Sequence, residues 1–381
     1  MKNVQHLLLL QVILLISFSS HGQKTVAQLK IEFDEFWAGP EGKKELMNYV
    51  TTDGAEQQYY YANWNLNGLV NMWQATGEIQ YFNEAKAAID SMISNASDIE
   101  INEVVYKGWP ALAKDGNLSV GKPLWDSMIW KEVATLLRIV HQSSDFKEKE
   151  LTWFKAILDW TEKNIWSRYE NRPGYGVGGE DGNQFMYTPT DTSHWARIAM
   201  ELYIITRKPK YKDFFDRASF TGCCTCTEAT KGFSMRDQLY QNEASELPAY
   251  GMYAKWGIFN NEDKKVDTPH FAAFVQFVAL AYQSNMHWTK FDIEKLISTI
   301  NNIVWKSDFP LAGSFYINGS GKVDAYAISQ GAQAILGRFD ESFQQRLEAT
   351  TTEGWNKGHR IGLIAANRSI LSNGKLHYGD Y

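Results

Sequence analysis

The segment TDTSHWA (190–196) is nearly repeated as VDTPHFA (266–272). Each copy places an aspartate three residues before a histidine, followed by an aromatic residue and an alanine. Asp and Thr are favoured helix N-caps, and Pro269 suits a first helical turn, so both copies read as helix starts. A histidine in that turn sits at the positive end of the helix dipole, which opposes protonation. Neutral imidazole is the form that acts as a general base or hydrogen-bond donor near neutral pH. His194 and His270 are therefore the candidate acid–base pair, with Asp191 as a candidate carboxylate beside the first. The plain alternative for each histidine is a buried ring bonded to a loop carbonyl.

His359 follows Asn356 at the same spacing. If His194, His270 and His359 converged, they would offer a three-imidazole set for a divalent metal; the leading expectation is that no cofactor is used. Two related starts, WDSM (125–128) and VDAY (323–326), carry Asp126 and Asp324 without the histidine. For Asp126, Asp191, Asp267 and Asp324 the leading reading is N-capping. Arg197 and Glu201 are spaced i, i+4 on an otherwise apolar stretch, which predicts an internal ion pair. The sharper alternative has Arg197 gripping a substrate carboxylate in bidentate fashion.

Aromatic residues reach 14% of the chain, with 14 Trp and 19 Tyr. Those outside the apolar runs, as in QQYYYANWN, YKGWP and AYGMYAKWG, suit stacking on the apolar faces of sugar rings. Trp64, Trp109 and Tyr187 are the candidate platforms. Arg172 and Asn183 lie with Tyr187 in NRPGYGVGGEDGNQFMY as further substrate contacts. Tyr250 and Tyr253 are candidates for proton transfer.

Such groups need elements to hold them. A unit of one apolar helix, a short turn and one amphipathic helix recurs at 63–93, 125–160, 193–218, from 270, and at 325–349. A last apolar helix begins at 359, and TVAQLKIEFDEFWAG (25–39) supplies its polar partner. Helices apolar all round must be covered on most sides, and the charged helices must face solvent. Six such pairs close into an all-α (α/α)6 toroid, an open solenoid being the alternative. The turns within pairs are short. The connections between pairs, 96–124, 169–190, 220–266 and 306–323, are long and rich in Gly and aromatics, which predicts cleft walls at the N-terminal ends of the inner helices.

The formal charge of −6 argues against nucleic acid as a partner. Residues 1–22 have one positive charge, a leucine-rich core and small residues, the pattern of a secretory signal. The expectation is an exported, periplasmic or secreted protein with no membrane anchor and a single toroid domain over 23–381. The composition leaves its oligomeric state open. Cys223, Cys224 and Cys226 are the only cysteines; in an oxidising compartment a local Cys223–Cys226 disulfide is expected.

The helical-hairpin repeat resembles that of (α/α)-toroid carbohydrate-active enzymes: unsaturated glucuronyl hydrolases, toroid polysaccharide lyases and oligosaccharide dehydratases of algal-polysaccharide (ulvan-type) degradation. The resemblance covers most of the chain as architecture. The Asp-x-x-His starts look more like the His/Tyr/Arg equipment of the eliminating enzymes. It implies β-elimination on an anionic, uronic-acid-containing oligosaccharide, as a glycan lyase or a dehydratase of the terminal uronate, with His194 and His270 as base and acid and a loop tyrosine able to replace either. Two rivals stand beside it. One is a glycoside hydrolase using paired carboxylates drawn from Asp126, Glu180, Asp181, Asp191 or Asp267. The other is a non-catalytic glycan-binding toroid.

Overall fold

The computed structural model describes residues 23–51, 56–109, 111–112, 118–119, 123–171, 189–221, 235, 267–329, 331–350 and 356–379. These residues are mostly helical. The α-helices longer than three residues, in order, are α1 (Val26–Ala38), α2 (Lys43–Thr51), α3 (Glu56–Thr76), α4 (Ile79–Ser94), α5 (Pro123–Gln142), α6 (Ser144–Lys149), α7 (Leu151–Trp160), α8 (Pro189–Thr206), α9 (Pro209–Asp216), α10 (Thr268–Gln283), α11 (Lys290–Thr299), α12 (Tyr326–Ser329), α13 (Glu341–Ala349) and α14 (Lys357–Asn373). A 3-10 helix, Ala332–Phe339, lies between α12 and α13.

Composition separates two kinds of helix. On α5 every residue from Asp126 to Val140 is buried, and α10 is covered almost as fully. On α4 burial is confined to Tyr81, Phe82, Ala85, Ala88, Ile89 and Met92, one stripe at helical spacing. The covered helices pack in sequence: α3 on α5, α5 on α8, α8 on α10, α10 on the 3-10 helix, the 3-10 helix on α14, and α14 back on α3. Each also carries the half-exposed helix that the repeat assigns to it: α4 on α3, α6 and α7 on α5, α9 on α8, α11 on α10, α13 on the 3-10 helix, and α1 on α14.

The contact of α3 with α14 depends on missing side chains. A Cβ at Gly68 would lie 2.9 Å from the Gly358 carbonyl oxygen, and one at Gly362 would lie 2.6 Å from that of Gly68. Further out, Trp73, Phe82, Phe146 and Tyr378 form an aromatic cluster with centroids 4.5–5.3 Å apart. Trp73, Phe82 and Phe146 are buried and Tyr378 partly so; full burial of a Phe-sized ring contributes about 1.5–3 kcal/mol relative to exposure.

The fifth unit departs from expectation. Its apolar stretch forms only the four-residue α12 and the 3-10 helix, not one α-helix. Gly331 separates them at φ +87, a backbone conformation that breaks a right-handed helix.

The long connections also carry strands. Strands β1 (Ser97–Ile101) and β2 (Val104–Gly108) form an antiparallel hairpin, and β3 (Ala111–Leu112) pairs with β4 (Leu118–Ser119). Strands β5 (Trp305–Asp308), β6 (Leu311–Ser314) and β7 (Val323–Asp324) form an antiparallel sheet in the order β5-β6-β7. That sheet anchors the start of α10: the Thr268 amide donates to the Phe315 carbonyl at 2.7 Å, and its hydroxyl to that of Ser314 at 2.9 Å. No helix among the described residues is long and apolar enough to cross a membrane. Residues 1–22 and the three cysteines lie outside the described residues.

Candidate functional site

The starts of α8 and α10 meet at one pocket of about 230 Å³. His194 and His270 both line it, with Tyr60, Tyr61 and Trp64 of α3 and Tyr326 of α12 among the other walls. The α3 rings form a connected platform: Tyr60 meets Trp64 edge-on at 5.4 Å, and Tyr61 lies nearly parallel to Trp64 at 6.3 Å.

Asp267 is an observed N-cap. It accepts from the His270 amide at 3.0 Å, in the extended backbone conformation that a cap requires. The same carboxylate holds the His270 ring, with Nδ1 2.6 Å from Oδ2. Burial would raise the Asp267 carboxyl, but the hydrogen bonds and charge of His270 hold it below its usual value. With Nδ1–H donated to Asp267, the acceptor position of the neutral ring is Nε2.

His194 has the opposite environment. It is 1% exposed, and neither ring nitrogen has a hydrogen-bond partner among the described residues. Burial holds it well below the usual imidazole range, and the charges of Lys131, Arg197 and His270 add to the effect. His194 is therefore neutral at physiological pH, for a different reason from the helix dipole alone.

Behind His194 lies a buried ionic cluster. Arg197 grips Glu132 with two bonds, at 3.0 and 2.7 Å, and also reaches Thr135 and Gln276. Glu201 is held by Arg138 at 2.5 Å and by Thr135 at 2.7 Å. The expected Arg197–Glu201 pair is thus replaced by two pairs across to α5, because residues 132, 135 and 138 present one ladder to the facing helix. Arg197 is 1% exposed and saturated, so its substrate-gripping role is corrected to a structural one. Burial would raise the Glu132 carboxyl, yet Arg197, Lys131 and Asn67 hold it at about 2. Burial pushes Lys131 down to about 8 against the pull of Glu132, with Arg197 pushing the same way as burial.

Other candidates fall elsewhere. Trp109 is fully buried, donates its indole N–H to the Met92 carbonyl at 2.9 Å, and packs among Tyr59, Trp130 and Trp160. It is a core residue and does not line the pocket. Asp126 is the fourth residue of α5 and is buried against Arg168 and the Tyr169 hydroxyl. Its capping role is replaced by an ion pair, and the helix starts at Pro123 instead. Asp191 lies inside α8, which starts at Pro189. Asp324 ends β7 and pairs with Lys322 at 2.9 Å. Asn356 precedes α14 but makes no side-chain cap. His359 is buried beside Gly331 and does not line the pocket. Among the described residues no group of three or more His, Cys, Asp or Glu side chains could hold a metal, so the three-histidine set is not assembled there. Arg172, Asn183, Tyr187, Tyr250 and Tyr253 lie outside the described residues.

Sequence reasoning missed Tyr326 as a site residue. It is 48% exposed on the pocket wall, and burial with the carboxylates of Asp267 and Asp324 pushes its hydroxyl up. Its signal was present in VDAY, the helix start equivalent to the two histidine starts. The signal for Lys131 and Glu132 was a pair of charges inside the apolar run SMIWKEVATLL.

No family model matches the chain, and no curated protein matches it. Solved structures do match. One, the Lin0763 protein from Listeria innocua, aligns over 91% of this chain and 79% of its own, at 12% identity and a TM-score of 0.46.

Proposed function

We propose that this protein is a carbohydrate-active lyase that performs β-elimination on uronic-acid-containing oligosaccharides. The observation that carries the reading is that His194 and the Asp267-held His270 share one aromatic-walled pocket with Tyr326. The architecture we read as an (α/α)6 toroid, a reading supported by the covered helices packing in a series that returns from α14 to α3.

Elimination requires removal of the proton α to the uronate carboxylate and departure of the oxygen β to it. The His270 Nε2 takes that proton while Asp267 orients the ring through Nδ1. The C–H electron pair becomes the new carbon–carbon double bond, and the carbon–oxygen bond breaks. Tyr326, whose hydroxyl stays protonated, donates its proton to the departing oxygen. Tyr60, Tyr61 and Trp64 offer ring faces on which the sugar stacks. If the departing oxygen is a hydroxyl, water is released and the enzyme is a dehydratase. If it is glycosidic, the chain is cut.

Paired-carboxylate hydrolysis has less support. Asp267 is engaged with His270, and Asp126 with Arg168 and Tyr169. Incubation with uronate oligosaccharides, followed by ultraviolet absorbance and mass spectrometry, tests the reading. New unsaturated-uronate absorbance with loss of water or with chain cleavage is expected. Cleavage without new absorbance would identify a hydrolase of saturated glycans, and loss of existing absorbance an unsaturated-uronyl hydrolase. No change across a broad glycan panel would identify a binding protein.

A further inference from the structure

The base and the acid of the site come from different helices, His270 from α10 and Tyr326 from α12. Strand β6 meets the starts of both. On one side it holds Thr268, the first residue of α10. The Thr268 amide donates to the Phe315 carbonyl at 2.7 Å, and its buried hydroxyl to the Ser314 carbonyl at 2.9 Å. Asp267, one residue earlier, bridges to Tyr316 just beyond the strand. On the other side β6 pairs with β7, with Gly313 opposite Asp324 and Ser314 opposite Val323. One residue, Ala325, then separates β7 from Tyr326.

Gly313 also packs on α12 itself. A Cβ there would lie 2.5 Å from Cγ1 and 2.9 Å from Cδ1 of Ile328. The backbone of Gly313 has no positive φ, so the position uses the missing side chain and not glycine's conformational freedom. Ile328 is buried and β-branched, which makes it stiff at its first torsion. A methyl group at 313 is therefore relieved by moving α12 away, by about 1 Å to restore ordinary carbon–carbon contact. Neither Thr268 nor Gly313 lines the pocket. Together they form a short path from the Asp267–His270 pair, through residues 313–316, to Ile328 and Tyr326.

We propose that β6 sets the spacing between base and acid, with Thr268 positioning His270 and Gly313 positioning Tyr326. The inference rests on the elimination reading and deepens it. Base and acid must reach one substrate at the same time, each within hydrogen-bond distance of its proton. A misplacement of about 1 Å costs about 10²-fold in rate. The Thr268 hydroxyl is not needed to start α10, because Asp267 already caps that helix. Its bond to Ser314 instead ties the helix start to the strand that also carries α12. Thr268 and Gly313 act through His270 and Tyr326 and are positioning residues.

The test measures turnover of two methyl β-glucuronide ethers that differ in the departing oxygen, one leaving as methoxide and the other as nitrophenoxide. Nitrophenoxide is a stable anion and departs without an acid, so its rate reports on the base alone. Gly313→Ala should lower kcat on the methoxide ether about 10²-fold and on the nitrophenoxide ether less than about threefold. Tyr326→Phe, which removes the acid outright, should show the same selectivity. Thr268→Val should lower kcat about tenfold on both ethers with KM nearly unchanged, and Thr268→Ser, which keeps the hydroxyl, should restore it. A folded Gly313→Ala chain that loses both rates alike, or neither, would overturn the inference. So would a folded Thr268→Val chain with wild-type kcat. If one variant does not fold, the other decides. Equal losses on both ethers in Tyr326→Phe would instead overturn the acid assignment of the site. Turnover of neither ether by the wild-type chain would overturn the elimination reading and the inference with it.

Discussion

The starts of α8 and α10 share a motif and differ in almost everything the motif touches. At α10 the helix begins just after Asp267, so the aspartate caps it and its carboxylate also holds His270. At α8 the helix begins at Pro189, which puts Asp191 inside the first turn rather than before it. His270 is half exposed and bound to its own aspartate, whereas His194 is sealed above a buried ionic cluster with neither ring nitrogen bonded among the described residues. Relative to the motif, α8 starts three residues earlier than α10; His270 is held by Asp267, whereas His194 is a buried neutral imidazole. Near-identical motifs need not be equivalent groups, even where both histidines line one pocket.

Glu132→Gln attacks the α8 side alone and should have the largest effect. It leaves Lys131 and Arg197 buried without their shared counter-charge, at a cost of about 3–5 kcal/mol of stability in urea unfolding. A loss below about 1 kcal/mol would mean that the cluster is not under the electrostatic load described. The same group predicts an acid effect. Its folded carboxyl is depressed to about 2 from an ordinary value of 4.5, so its stabilisation is present above that ordinary value and lost as pH falls towards 2. In Glu132→Gln that component of acid unfolding should be missing.

Replacing the histidines tests whether both starts serve catalysis. His270→Ala should lower turnover about 10³-fold, and His194→Ala about 10²-fold, with melting close to that of the wild type. A double variant that keeps full activity would remove the histidines from the mechanism.

Asp267→Asn sharpens the comparison further. Asn caps a helix about as well as Asp, so stability should change little. The ring loses its carboxylate partner, and kcat should fall about tenfold with KM nearly unchanged. A fall in stability without a fall in kcat would make Asp267 a cap only. The smallest effect separates the two aspartates as caps: Asp267→Ala should cost about 1 kcal/mol of stability, and Asp191→Ala none of that capping term.

Much of the fold was legible because helix periodicity is local. Outside the fifth unit, the apolar helices and their amphipathic partners fall where 3.6-residue spacing places them, and each predicted pair is in contact. Capping was less legible. Asp126 and Asp191 look like caps in sequence, but Pro123 and Pro189 start those helices earlier, and Arg168 claims the Asp126 carboxylate. The proline signal was available, since proline favours the first helical position. The site was only partly legible. His194, His270 and Trp64 were identified and share the pocket, whereas Arg197 and Trp109 carry the right chemistry in the wrong place.

The sequence alone determined which helices are covered and which are half exposed, because burial follows the apolar pattern along each one. It also determined that His270 follows a cap, because that contact spans three residues. Tertiary structure decided the partners of every buried charge. The choice of Glu132 over Glu201 by Arg197 depends on which face of α5 meets α8, a relation between segments about 65 residues apart that no local spacing encodes. A separation of 68 residues likewise lies between Lys131 and its amide neighbour Asn63. The electrostatic character of His194 therefore comes from the packing of three helices and not from its motif.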